Sequence, residues 1–312
     1  MKYMTVKEAA ENWAVSGAMV RRYCKEGKIS DAVLTEEGWK IPKNAKKPNS
    51  TTVESKANME FSPLAKKLMQ QKKKKSFHGL YDYVIVNLTY SSNRLASNRL
   101  TRNQVEMIYK KGKVGEMFEP IKVSDLIETL NHIRCVNYVV DNIRTPLTAK
   151  FVRNLHAMLT AGTVDAEMNR VEPGEYRNAK SARKESFIAP QVSIAASLKT
   201  LFDDYERTSE ITKEDILDLH VAFVRIFPFE DYNGRVGRLL LFKECLRNYV
   251  TPFIIDDKRR GRYLDGLRQW HQNKTVLLDV TQECQNRFAS EIYNQHLAEI
   301  GANFRPTDYK ED

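Results

Sequence analysis

Arg235 and Arg238 stand just after Asn233 and Gly234, at the start of a run from Val236 to Leu246 that is apolar nearly all round. Such a run predicts a helix buried in the core. A helix N-terminus presents unpaired backbone N–H groups and the positive end of a dipole, so Asn233, Gly234, Arg235 and Arg238 together suit a polyphosphate. Asp231, just upstream, is an oxygen ligand of the kind Mg²⁺ takes when it also binds phosphates. Ile216, Leu219, Phe223 and Phe227 recur at helical spacing after Ile211-Thr-Lys-Glu-Asp215, so a second helix runs toward the loop and stops at Pro228. An ordinary helix–turn–helix with solvated arginines is the other reading of the same residues.

The whole stretch, Phe227-Pro-Phe-Glu-Asp-Tyr-Asn-Gly-Arg-Val-Gly-Arg238, resembles the signature of the Fic family, His-Pro-Phe-x-(Asp/Glu)-Gly-Asn-Gly-Arg-x-x-Arg. The resemblance runs from about residue 80 to about residue 295. Pro146 to Leu159 is similar to the Fic helix carrying a Leu-His pair, here Leu155 and His156, and Pro173-Gly-Glu-Tyr-Arg177 is similar to the turn before the family's target-aligning flap. The family moves AMP from ATP to a protein hydroxyl. What the resemblance implies is Mg²⁺ on Asp231, ATP phosphates on Asn233, Gly234, Arg235 and Arg238, and an adenine contact near Tyr263. The Gly234-Arg235 pairing fits the AMP-transferring branch rather than the branch with lysine here.

Two positions depart from the family. Its first histidine takes the proton of the attacking hydroxyl, and that position is Phe227, whose ring accepts no proton at any pH. Glu230 and His220 are the nearest substitutes; His220 falls on the buried helix face and reads as a packed core histidine. Many relatives also carry a restraining helix of pattern Ser-x-x-x-Glu-(Gly/Asn), whose glutamate pairs with the last arginine. Tyr90 to Thr101 aligns with it and keeps Ser92, but the glutamate is Ala96 and the next residue Ser97. A methyl group forms no charge-assisted pair with Arg238. Both losses together imply a nucleotide site with poor chemistry; an active transferase using Glu230 is the alternative. Tyr232 stands where relatives have glycine, and a left-handed backbone there would cost a tyrosine roughly 1–2 kcal/mol. The flap, residues 178–189, carries Lys180, Arg183 and Lys184, and reads as a solvated turn or as a grip on an acidic protein target.

These elements need a scaffold, and the long periodic segments make the fold class mainly α: a Fic-type helical bundle over 78–300, with its core at about 145–275, a restraining-type helix at about 88–101 and a short β-hairpin flap. Residues 1–48 form a separate small unit. Thr5-Val-Lys-Glu8 is a capping box, and Val6, Ala9, Ala10 and Trp13 mark the buried side of a first helix. Met19, Val20 and Tyr23 point a second helix inward, with Arg21, Arg22 and Lys25 outward, and a hairpin to Gly38-Trp-Lys-Ile-Pro42 follows. This resembles the winged helix-turn-helix of excisionase and MerR proteins, which implies DNA in contact with Arg21, Arg22 and Lys25. A small protein-binding helical domain is the other reading. Helix-turn-helix units often pair, so a homodimer is an expectation.

Charge follows the same division. The chain's net charge is +10, and residues 1–76 hold 17 Lys+Arg against 8 Asp+Glu, nearly all of that excess. Residues 49–77 read as a basic polar linker whose Lys72-Lys-Lys-Lys75 suits a DNA backbone or a solvated helix face. Four scattered cysteines without metal-ligand spacing read as reduced and buried. The N-terminus lacks a hydrophobic segment and no apolar run approaches a membrane span, so a cytoplasmic protein is expected.

Overall fold

The computed structural model describes residues 3–13, 15, 17–25, 29–35, 38–47, 60–74, 79–114, 120–177 and 193–300. The chain divides into two compact units, Met1–Ser55 and Lys56–Asp312. Among the described residues no helix is long and apolar enough to cross a membrane.

The first unit contains β1 (Tyr3–Thr5), α1 (Val6–Trp13), α2 (Gly17–Lys25), β2 (Val33–Thr35) and β3 (Gly38–Pro42). Thr5 and Glu8 form the expected capping box: the Thr5 N–H donates to the Glu8 carboxylate at 2.7 Å and the Glu8 N–H to Thr5 Oγ1 at 3.3 Å. Ala9, Val20, Tyr23, Cys24, Ile29 and Ile41 close a small core with Met4. The sheet has order β1-β3-β2, antiparallel throughout, with Met4 opposite Ile41 and Leu34 opposite Trp39. Strand β1 is absent from the sequence reading. Three residues give too short an alternation to detect, and only Met4, inward between two exposed neighbours, marks it.

The second unit is helical: α3 (Pro63–Lys74), α4 (Leu80–Leu95), α5 (Arg102–Lys111), α6 (Val123–Asp141), α7 (Ala149–Thr160), α8 (Val164–Glu167), α9 (Ile194–Glu206), α10 (Lys213–Ile226), α11 (Asn233–Arg247), α12 (Arg260–Gln269) and α13 (Thr275–Ile300). Threonine side chains start several of them. Thr101 with Gln104 and Thr212 with Asp215 are full capping boxes, and Thr148 caps α7. Helix α11 is the hub. Its residues from Arg235 to Leu246 are all buried, and it packs against α10, α6, α7, α3 and α4. Its apolar surround was legible; the fully buried Lys243–Glu244 ion pair at 2.7 Å was not. Glu206 and Arg247 extend that pair into a network, which a buried charge needs to offset its desolvation. All four cysteines are free thiols and buried.

The linker expectation for 49–77 is corrected by α3. Leu64, Ala65, Leu68 and Gln71 form a buried face on the second unit, and Gln71 Oε1 accepts the Tyr81 N–H at 2.8 Å. Lysines hide this stripe in composition, because their charge outweighs an i, i+4 apolar pair. Lys72 is not available to a DNA backbone: its ammonium reaches the Asn137 carbonyl at 2.8 Å and pairs with Asp141 at 2.5 Å. Lys73 and Lys74 are exposed. Truncating the fully buried Leu68 to alanine is expected to cost about 2–5 kcal/mol in urea unfolding. Lys73→Ala should stay within about 0.5 kcal/mol; equal effects would mean that α3 is not docked.

Candidate functional site

Helix α10 ends at Ile226, and Phe227 is its C-cap in the left-handed region, φ 51°, with its N–H on the Phe223 carbonyl at 3.2 Å. Six residues later α11 begins. The turn between them is held at three points. Arg177 donates from Nε to the Phe227 carbonyl at 2.6 Å and from its backbone N–H to the Pro228 carbonyl at 2.9 Å. Asn233 answers both backbone groups of Phe229: Oδ1 accepts the N–H at 3.0 Å and Nδ2 donates to the carbonyl at 2.8 Å. Phe229, fully buried, stacks on His156 with centroids 3.8 Å apart and planes 5° from parallel.

The Leu155-His156 pair and the Gly174-to-Arg177 turn therefore meet at this loop. His156 Nδ1 accepts the Gly174 N–H at 3.0 Å. Gly174 has φ 76°, and a Cβ there would lie 3.2 Å from the Arg153 carbonyl oxygen, so the turn can approach α7 only as glycine. Burial holds His156 neutral, with its pKa lowered to about 4.

At the start of α11 the first-turn N–H groups of residues 233–235 have no carbonyl within the helix to meet them. Arg238 is buried, and it donates from Nε to Ser92 Oγ at 3.1 Å and from Nη2 to the Ser92 carbonyl at 2.8 Å. Gly234 leaves it room, since a Cβ there would stand 3.0 Å from the guanidinium. Arg235 is also buried. It pairs with Glu128 on α6 at 3.0 Å and lies under the Tyr232 ring, 3.6 Å from its centroid. Tyr232 is left-handed, with φ 65°, and its hydroxyl donates to Glu128 at 3.1 Å.

The residues singled out in the sequence fall into three groups. Phe227, Glu230, Asp231, Asn233, Gly234, Arg235 and Arg238 come together on one loop and helix start. Of these, the Asn233 side chain is engaged in folding the loop, so only its backbone N–H faces a ligand. Asp231 is exposed and its Oδ1 accepts the Tyr232 N–H at 2.6 Å. Among the described residues no three His, Cys, Asp or Glu side chains cluster to hold a metal. Asp231 therefore fits Mg²⁺ only as one ligand beside phosphate and water oxygens.

Tyr263 is placed differently from the adenine contact implied by resemblance. It is buried, its hydroxyl lies 2.6 Å from His220 Nε2, and it faces the Arg238 guanidinium. A side chain so enclosed positions Arg238 instead of meeting a base. His220 is the packed core histidine that its helix face suggested, held neutral by burial with a pKa of about 3. Ala96 is exposed at the end of α4, and Ser97 after it has φ 71°, a conformation that explains the Gly/Asn of relatives. Arg21 is exposed on α2; the side chains of Arg22 and Lys25 lie outside the described residues, as does the flap at 178–189.

Glu128 is the residue that sequence reasoning missed. It stands four residues before His132 on α6, and His132 is fully buried within the field of Arg235 and Arg238, with a pKa of about 3. No local pattern marks it, because the same stretch of α6 also buries Asp125, Thr129 and Asn131.

A model of the Fic/DOC family matches residues 146–244. A probable protein adenylyltransferase of Aquifex aeolicus is 32% identical over 74 residues, a match covering 24% of this chain and 22% of that relative. Among solved structures, a Fic domain-containing signalling protein of Bacteroides thetaiotaomicron aligns with TM-score 0.57 at 21% identity, over 77% of this chain and 100% of that one. Fic-1 of C. elegans aligns with TM-score 0.55 at 15% identity, over 77% of this chain and 68% of its own. At these identities the structural likeness is one of fold.

The three buried histidines make a pH prediction. In the unfolded chain each titrates near about 6.5; folded, His132 and His220 titrate near about 3 and His156 near about 4. Below pH 6.5 the unfolded chain therefore holds more protons. Their contribution to stability is complete above about pH 6.5 and declines as pH falls toward 4, by up to about 1.4 kcal/mol per unit for each histidine. Urea midpoints measured from pH 7.5 to 4.5 should show His156→Asn, which keeps an acceptor for Gly174, falling less steeply than the parent. Parallel curves would count against a neutral His156.

Proposed function

We propose, from the match of residues 146–244 to a model of the Fic/DOC family, that the loop from Phe227 to Arg238 binds Mg-ATP without efficiently transferring AMP, in a protein whose first unit binds DNA. One observation carries the reading: Arg177 and Asn233 hold the loop in place by its backbone, while the side chain at its first position is a phenyl ring. AMP transfer joins a hydroxyl oxygen of the target to the α-phosphorus of ATP and breaks the bond to the pyrophosphate, which leaves. The hydroxyl proton needs an acceptor, and Phe227 supplies none.

What remains is electrostatic. The α11 N-terminus, Arg235 and Arg238 are suited to phosphate charge, and Asp231 to a phosphate-bound Mg²⁺. The name of the Aquifex relative supports ATP as the nucleotide and a protein as the family's target. A positioned base contributes about 10²–10⁴-fold, so its loss lowers the rate without removing the binding groups. Glu230, half-buried on the same loop, is the residue through which an active transferase would have to work.

Labelled ATP and a cell lysate separate these readings. Phe227→His is expected to label target proteins at least about 10²-fold faster than the parent. Strong labelling by both chains, abolished by Glu230→Gln, would establish the active enzyme instead.

For the first unit, exposed Arg21 on α2 and the basic excess of residues 1–76 support DNA as partner, with regulation by nucleotide as the corresponding role. Its affinity for duplex DNA is expected to fall with salt, by a log–log slope of about 0.9 for each phosphate neutralised, and Arg21→Ala should weaken binding. Binding indifferent to both would leave the unit a protein-interaction domain.

A further inference from the structure

The resemblance places no carboxylate against the loop's arginines, since the restraining glutamate is Ala96. One stands there nevertheless. Glu128 reaches Arg235 from α6 and is fixed from three sides: Oε2 lies 3.0 Å from Arg235 Nη1 and accepts from Asn98 Nδ2 at 3.3 Å, and Oε1 accepts the Tyr232 hydroxyl at 3.1 Å. Asn98 is itself anchored on the Asp125 carbonyl at 2.9 Å, one helical turn before Glu128. The Tyr232 ring covers the guanidinium at 3.6 Å, so phenol and carboxylate together enclose Arg235, whose side chain is only 6% exposed.

The geometry points to Glu128 as the resident counter-ion of the phosphate cradle and Tyr232 as its lid, so that a nucleotide binds only by taking Arg235 from both. The inference rests on the reading of this loop as a phosphate site. Its specific support is that the pair is close in distance but poor in direction. Arg235 Nη1 and Nε make no aligned hydrogen bond among the described residues, although both are buried. A buried donor without an aligned acceptor is unfavourable, whereas phosphate oxygens can meet guanidinium N–H groups along their axes. Glu128 therefore neutralises Arg235 without satisfying it, as an exchangeable anion would. Among the described residues Nε2 of fully buried His132 also has no hydrogen-bond partner, another polar atom close to the arginines that the present arrangement leaves unmet.

The consequence is selectivity by charge. A ligand that reaches Arg235 must displace a carboxylate and lift an aromatic ring, so a polyphosphate is favoured over a monophosphate or a neutral nucleoside. A purely structural ion pair gives the opposite sign on mutation: losing Glu128 would leave Arg235 unanchored and weaken binding. Glu128→Gln preserves the side-chain volume and an acceptor for Tyr232 while removing the charge. Tyr232→Gly removes the lid and relieves the left-handed tyrosine, but it also empties a buried position, so Glu128→Gln is the primary variant and Tyr232→Gly counts only where its melt shows a folded chain.

The test is titration calorimetry of Mg-ATP and AMP into the full-length protein, with thermal melts to verify folding. Expected are a Glu128→Gln affinity for Mg-ATP at least about 10-fold above the parent and a gain of the same sign for Tyr232→Gly, each larger for Mg-ATP than for AMP, because the more highly charged ligand gains most from the freed guanidinium. An unchanged or weaker affinity in a folded Glu128→Gln protein overturns the counter-ion assignment and leaves the nucleotide site standing. Failure of the parent, Glu128→Gln and Tyr232→Gly alike to bind Mg-ATP overturns the nucleotide site and this inference together. Binding by the Glu128→Gln protein that survives Arg235→Ala would also overturn the inference, because the exchange would not be at Arg235.

Discussion

A helix buried on every side cannot leave its first turn to water, and this constraint on α11 organises the rest of the second unit. Its two arginines, Arg235 and Arg238, are buried, where an unpaired charge is costly. The surrounding elements supply oxygens accordingly. Ser92 on α4 gives Arg238 a hydroxyl and a carbonyl, Glu128 on α6 gives Arg235 a carboxylate, and the Phe229 backbone takes the Asn233 amide. Helices α4 and α6 and the loop after α10 are thus tied to the polar end of α11 by these contacts. At the other end, Lys243, Glu244, Arg247 and Glu206 make a second enclosed set of charges.

Which parts were legible in the sequence follows from how local their causes are. Capping boxes at Thr5 and Thr212, the apolar surround of α11 and the helix ending at Pro228 depend on neighbours within a few residues, and all could be read directly. The Ser92–Arg238 contact spans 146 positions, yet it was foreseeable in part, because Ser92 belongs to a recognisable helix pattern. Glu128–Arg235 spans a comparable distance with no pattern behind it and was not foreseen. Helix α3 was hidden for a different reason: six lysines in and around a single turn-spaced stripe made a docked helix look like a linker. The burial of Tyr263 was not legible, because a position matched to a helix says which element carries the residue, not which side of the element it occupies.

Three of the six described non-glycine residues with positive φ lie in the loop or at the end of α4, the others being Asp31, Asn169 and Tyr249. Phe227, Tyr232 and Ser97 all have positive φ, and none is glycine. Each costs roughly 1–2 kcal/mol that a glycine would not incur, so each must be held by its surroundings. Arg177 grips the Phe227 carbonyl, and Glu128 with Arg235 traps the Tyr232 ring between a hydrogen bond and a cation. Nothing in the structure explains why Ser97 in particular follows Ala96.

The grip on Phe227 also explains how the loop can keep its shape with a phenyl ring at its first position. The position has two separable duties. Its backbone caps α10 and offers a carbonyl to Arg177, and neither depends on the side chain. In the AMP transfer proposed above, its side chain would be needed only at the moment a hydroxyl loses its proton. Asn233 is the opposite case, since its side chain builds the loop itself through both polar groups of Phe229. Replacing a base can therefore stop the chemistry and leave the fold, whereas replacing Asn233 would disturb the fold first. The shape of the loop thus depends on the side chain of Asn233 and on the backbone, not the side chain, of Phe227.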